Sequence, residues 1–237
     1  MLLFEPNALV SCPKAVGLEP DPGAGQAAAP RTAPFNRPFF LSDANRDFAA
    51  RLAAMDLTNQ FLIAMPSMED PNFDRTVVYV CEHSEKGAMG VVINRPMELT
   101  LASLFDKIDL RLEIAPWCDE PVLYGGPVQT ERGFVLHAPA GNYGSTLTVA
   151  EDIGLTTSKD VLEAVAGGKG PQRLLVTLGY AGWAAGQLES ELAHNGWLNV
   201  PADASVIFDT PLTARFDAAL RLLGINPLHL TSQAGHA

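Results

Sequence analysis

Apolar residues fall in short, dense runs between Phe61 and Ile225, and the spacing within each run decides what it forms. Phe61-Leu62-Ile63-Ala64-Met65 is an unbroken apolar run stopped by Pro66, the pattern of a buried strand. The loop EDPNFDR (69–75) follows and is rich in turn formers. Two β-branched runs, TVVYVCEH (76–83) and AMGVVIN (88–94), flank Ser84-Glu85-Lys86-Gly87 and predict a hairpin. VLYGG and GFVLHA read as a second strand pair across PVQTER.

Three- and four-residue spacing marks the helices. Leu101, Leu104, Phe105 and Ile108 share one face behind Thr100, a capping residue. Thr157 and Asp160 have capping-box spacing, and Gly167-Gly168 closes that segment. After the strand RLLVTL (173–178), the segment AAGQLESELAHNG reads as a helix stopped by Asn195-Gly196. Thr210-Pro211 opens a last helix with Phe216, Ala219, Leu220 and Leu223 facing inward and Gly224 after its last turn. Hairpins early and strand–helix alternation later predict one α+β domain over 55–237. Its sheet is mixed and mainly antiparallel, open to a barrel-like closure, with helices on its flanks.

The preceding 54 residues follow another pattern. Leu9-Val10-Ser11-Cys12 has the look of a lipobox, yet Glu5 and Pro6 break the apolar core that an export signal needs and no Lys or Arg precedes it. From Pro13 to Pro38 the chain is Pro, Ala and Gly with few large apolar groups, too little to bury and order itself. Ser42 then caps a short helix over DANRDFAARLAAM with Phe48 and Leu52 on one face. Two readings stand side by side: an appended docking helix on a disordered arm, or an upstream extension of a protein whose natural start is Met55.

Charge narrows the function classes. Of 16 basic and 27 acidic groups, five of each precede Met55, so 11 basic and 22 acidic groups lie in the domain. A surface this acidic repels phosphate backbones, and no Lys/Arg cluster marks a nucleic-acid footprint. No apolar run reaches membrane-spanning length. Cys12, Cys81 and Cys118 form no CxxC pair and suit a reducing cytoplasm. The five histidines give no metal-ligand spacing, so neither a metal nor a cofactor is expected.

The candidate chemistry gathers around EHSEKGAMGVVINRP (82–96). Cys81 and His83 share a strand face, but side chains two residues apart on one strand stand roughly 6–7 Å from each other, too far for a catalytic pair. His83 suits a hairpin cap or a general acid/base. Arg95 before Pro96 suits an ion pair, the favoured reading, or an anion clamp. In LGYAGWAAGQLESEL the glycines at 179, 182 and 186 do not match a dinucleotide fingerprint, and Glu189 and Glu191 oppose a pyrophosphate at that helix start. Gly182 is read as a strained position in a strand-to-helix bend, with Tyr180 and Trp183 as a packed cover or the floor of a shallow pocket, and for Trp183 the pocket is favoured. Gly125-Gly126-Pro127 is a turn able to expose backbone amides.

Taken together, FLIAMPSMEDPNFDRTVVYVCEHSEKGAMGVVINRP, LYGGPVQTERGFVLH and LGYAGWAAGQLESELAHNGWL resemble the AlgH/YqgE family, in order and over residues 55 to about 225. Members of that family typically begin near Asp56, so the upstream residues depart from the pattern. The resemblance implies a bacterial, cytoplasmic protein of compact α/β build with no assigned catalysis and a proposed role in transcriptional control. It places His83, Asn94, Arg95, Gly125, Gly126, Arg132, Tyr180, Gly182, Trp183, Gln187 and Glu191 in family motifs as candidate binding residues. Two function classes follow: a non-catalytic, indirect regulator working through a protein or small-ligand partner, and an enzyme on a small polar or anionic substrate using His83 and Arg95. In either case direct DNA contact is excluded by charge. Anisotropy titrations of the purified protein at physiological salt should therefore show no specific complex; sub-micromolar, sequence-selective binding would contradict this reading.

Overall fold

The first strand shows why the apolar runs are unbroken. In the computed structural model, which describes residues 56–225 apart from 69, 113 and 114, β1 (Gln60–Ala64) sends Phe61 and Ile63 into one core and Leu62 and Ala64 into another. β2 (Val77–Ser84) and β3 (Gly87–Val92) do the same. Val77, Tyr79, Met89 and Val91 join the first core, and Val78, Val80, Ala88 and Val92 the second. A strand covered on both faces has no polar side to present, so alternation disappears from its sequence.

Seven further strands complete the sheet among the described residues: β4 (Pro96–Thr100), β5 (Pro121–Tyr124), β6 (Val128–Ala138), β7 (Thr146–Ala150), β8 (Ile153–Thr156), β9 (Arg173–Ala184) and β10 (Trp197–Pro201). Their order is β10-β1-β2-β3-β9-β6-β8-β7, with β5 on β9 and β4 on β5. Every pairing is antiparallel except β5 with β9. The sheet curls into a half-barrel, an α+β architecture as the pattern predicts. The core shared by both ends of the sheet lies on its concave side, where Phe61, Tyr79, Phe134, Leu136 and Leu155 meet Val206 and Ile207 of one helix and Phe216, Ala219 and Leu220 of another. Those helices are α5 (Ala204–Phe208) and α6 (Arg215–Leu222).

Two separate cores cover the convex side. α1 (Leu101–Lys107) and α3 (Asp160–Ala166) pack on one end, and α4 (Gln187–Ala193) covers the other; the short α2 (Ala115–Cys118) leads into β5. Thr100 caps α1 as expected, accepting the Ser103 N–H at 3.3 Å.

The long strand β9 belongs to all three cores. Leu174, Val176 and Leu178 face the α1–α3 side, Tyr180 packs on the concave core, and Ala181 and Trp183 face the α4 side. Even-numbered residues thus point outward before Gly179 and inward after it. Gly179 takes φ +75°, and the pairing with β6 is irregular between Val128 and Gly133, so a bulge slips the two-residue period by one. Gly125 and Gly126 cross the same place. A Cβ on Gly126 would lie 2.2 Å from the Tyr180 carbonyl carbon, and one on Gly125 2.2 Å from the Gly179 oxygen. Backbone, not side chain, fills that space.

Several expectations change. VLYGG and GFVLHA do not pair with each other: β5 lies parallel to β9, and PVQTER belongs largely to β6. The residues YAGWA continue a strand instead of bending into a helix, and α4 begins only at Gln187, after Gly186 in the left-handed region. Thr157 and Asp160 form no capping box, because Thr157 is buried and Asp160 bonds the Gly144 and Val161 N–H groups and the Ser158 hydroxyl. A 3-10 turn, Leu212–Ala214, precedes the last helix. β4, the β7–β8 hairpin and β10 were not anticipated. The expected helix over 43–55 and the extension before Met55 lie outside the described residues.

Gly182 also departs from expectation. It is exposed and not left-handed, and an added Cβ would meet side chains alone, the edge of the Tyr180 ring at 3.0 Å and Val128 Cγ2 at 3.9 Å. Gly126→Ala should cost roughly 3 kcal/mol or more, since the obstructing atoms are backbone and cannot turn aside. Gly182→Ala should cost under about 1 kcal/mol. Urea denaturation of both variants checks the contrast, and equal losses would contradict it.

Candidate functional site

The loop between β1 and β2 draws in two of the polar residues that the sequence singles out, Asn94 and Arg95. Asn94, just past β3, accepts the Val77 N–H at its Oδ1 and donates from Nδ2 to the Arg75 carbonyl, both at 2.9 Å. Arg95 donates to three carbonyls of the same loop: Nη1 to Asn72 at 2.7 Å and Pro71 at 3.2 Å, Nη2 to Asp74 at 3.2 Å. Its guanidinium also stands 5.7 Å from the Tyr124 ring centroid, and the Tyr124 hydroxyl donates to Asn72 Oδ1 at 3.1 Å. The favoured ion-pair reading of Arg95 is therefore corrected: among the described residues its hydrogen bonds go to backbone carbonyls. A planar fork of donors suits several carbonyls at once in a way that an ammonium does not.

Held in this way, the loop places Phe73 over two tryptophans. Phe73 stacks on Trp183 with centroids 6.4 Å apart and meets Trp197 edge-on at 5.3 Å; the two indoles are 6.0 Å apart. Both indole N–H groups donate to one carboxylate oxygen, Glu191 Oε2, at 2.9 and 2.8 Å. The other oxygen of Glu191 accepts from Gln187 Nε2 at 2.9 Å, and Gln187 Oε1 accepts the Ala184 N–H at 3.0 Å. Trp183 is only 7% exposed. The favoured reading of it as a pocket floor is corrected: it is core.

His83 lies at the far end of the β2–β3 hairpin from Asn94 and Arg95. It stands six residue steps along β2 from Val77, roughly 20 Å of strand. Its Nδ1 accepts the Leu57 N–H at 3.3 Å, and its Nε2 sits 3.2 Å from Glu189 Oε1, with side chains 5% and 9% exposed. An accepting Nδ1 assigns the proton to Nε2, which donates to Glu189. Both ring nitrogens are thus engaged by the protein. His83 does not cap the hairpin turn near Gly87; it ties the lead into β1 to α4.

The remaining candidates sit at the β9 crossing. Gly125 accepts the Val92 N–H and donates to the Leu178 carbonyl, at 2.9 and 2.8 Å. No amide of Gly125 is turned toward a ligand. Tyr180 packs edge-on against Phe134 at 5.6 Å, with its ring over Gly182. Arg132 lies 5.6 Å from the Phe134 centroid and donates to Gln129 and Thr157 at 3.4 and 3.5 Å. His137, another motif residue, is fully buried between the Pro139 carbonyl and the Thr156 hydroxyl, and burial lowers its pKa.

Among the described residues, these contacts hold elements of the fold to one another. His83 and Arg95 do not converge. Burial pushes the Cys81 thiol far above its ordinary range, so no thiolate is available beside His83. Among the described residues no group of His, Cys, Asp and Glu could hold a metal ion, and no helix is long and apolar enough to cross a membrane. Tyr124, Phe73 and Trp197 complete these contacts and were missed, and Glu189 was read only for its charge at the helix start. The aromatic among polar turn residues in EDPNFDR was the one available signal.

Comparisons with known proteins agree with the fold and the motifs. A family model described as AlgH-like matches residues 61–228. A UPF0301 protein of Ralstonia nicotianae is 66% identical over 185 residues, 78% of this chain and 97% of its own length. The solution structure of the AlgH protein from Pseudomonas aeruginosa is 52% identical with a TM-score of 0.65, covering 77% of this chain and 97% of that one. A crystal structure of a Corynebacterium diphtheriae protein, at 23% identity and a TM-score of 0.60 over 80% of this chain and all of that one, shares the fold.

The burial of Trp183 sets a direct test. Trp183→Ala should destabilise the domain by roughly 3–5 kcal/mol, the usual cost of losing a buried large aromatic. Chemical denaturation measures it, and a change below about 1 kcal/mol would place the indole outside the core.

Proposed function

The chain belongs to the AlgH-like family, and from that premise we propose that it is a non-catalytic cytoplasmic protein acting through a protein partner, with the 70–75 loop as its recognition element. One observation carries the reading. Asn94, Arg95 and Tyr124 spend their hydrogen bonds on immobilising one exposed loop, and Phe73 anchors its middle. A surface segment held in one conformation binds without the cost of ordering it, which is the advantage of preorganisation. Asp70, Pro71 and Asp74 lie exposed on that rigid frame. Any influence on transcription then runs through the partner, since the acidic surface disfavours DNA.

The enzyme reading has less to support it. A catalytic histidine needs a ring nitrogen free for the substrate, and His83 has none; an anion clamp needs a free guanidinium face, and Arg95 has turned its donors to carbonyls.

Cross-linking of the full chain to proteins it retains from its native cytoplasm tests the proposal. Cross-links should concentrate on residues 70–75. Arg95→Ala should lose those partners while the fold persists at a cost of about 1–3 kcal/mol, and Gly182→Ala should keep them. Equal retention by Arg95→Ala, or cross-links confined to other surfaces, would overturn it.

A further inference from the structure

His83 has a relation to the start of the domain that the loop brace does not explain. The chain enters through Asp56 and Leu57, and Leu57 is fully buried beside Ala88, Trp183 and Leu188. Its backbone N–H is held by the imidazole Nδ1, and the His83 N–H in turn donates to the Thr58 hydroxyl at 3.1 Å. The imidazole links this entry segment to α4 by hydrogen bonds, through Glu189, beside the apolar packing of Leu57. Such a contact works in one protonation state only. An Nδ1 that accepts a backbone N–H carries no proton; once protonated, it turns one donor against another.

We propose that His83 is a pH-sensitive latch on the entry segment: neutral, it holds the Leu57 amide, and protonated, it releases that amide and keeps only Glu189. The charged groups around it set the balance. Glu189 faces it from α4, and Asp56 from the entry segment. Glu82, Glu85 and Lys86 lie along its own hairpin, and the facing strand contributes Ala88, which carries no charge. Histidine is the side chain that ordinarily changes charge between about pH 5 and 8. The Leu57 side chain stays buried, so the expected result is a loosened entry segment within a folded domain.

The inference is independent of the loop proposal and is read on the full chain. Nitrogen shifts of the His83 ring by NMR at neutral pH should show Nδ1 unprotonated. Amide exchange, corrected for its intrinsic pH dependence, should show Leu57 losing protection by about tenfold or more on acidification, the loss expected when a buried donor is left without its partner. The amides of Phe61 and Leu62 in β1 should stay protected. In His83→Gln, which cannot protonate, the Leu57 protection should not change with pH, whatever its level. A proton on Nδ1 at neutral pH would overturn the latch, as would a Leu57 response to pH that is absent in the wild type or unchanged in His83→Gln.

Discussion

The half-barrel depends on the backbone crossing at Gly179. β9 carries β6 along one edge, and β5 and then β3 along the other, and Gly125 and Gly126 pass within bonding contact at the point where those last two meet. No side chain fits there. The bulge at the same residue slips the phase of β9, so that one strand can serve the α1–α3 core, the concave core and the α4 core in turn. Without that slip, Trp183 would point into the concave core and its hydrogen bond to Glu191 would not form.

This crossing also explains what was legible in the sequence and what was not. β1, β2 and β3 were readable because both their faces are buried, which leaves their apolar runs unbroken. The hairpin at Glu85-Lys86 was readable from local turn chemistry. β9 was truncated because a strict period of two breaks at Gly179, and the remaining glycines imitated a bend. The partnership of β5 was misread because parallel pairing with a distant strand leaves no local trace, while two neighbouring runs suggest a hairpin. β10 and the strands of the β7–β8 hairpin are short, four or five residues each, too few for a period to show.

The candidate residues were visible as residues, not as roles. Asn94, Arg95, Trp183, Gln187 and Glu191 do come together around the 70–75 loop and α4, but each turns toward the protein itself. Polar side chains near a turn signal chemistry and scaffolding equally well, and only the hydrogen-bond partners distinguish them. For Arg95 the partners are carbonyls that any sequence would offer, so no spacing rule could have identified them. For Glu191 the partners are two indoles fourteen residues apart, brought together by a strand that the sequence did not extend far enough.

The concave core has one further consequence, for the order in which the protein is made. Its residues begin at Phe61 in β1 and end at Leu220 in α6, and β1 itself pairs with β10, more than a hundred residues later. A chain emerging from the ribosome cannot close this core by halves, because the first strand has β2 beside it early but lacks β10 and its covering helices until almost the whole domain is out. Until then the apolar faces of β1, β2 and β3 have to be shielded by other means, and folding of the domain becomes a late event in its synthesis.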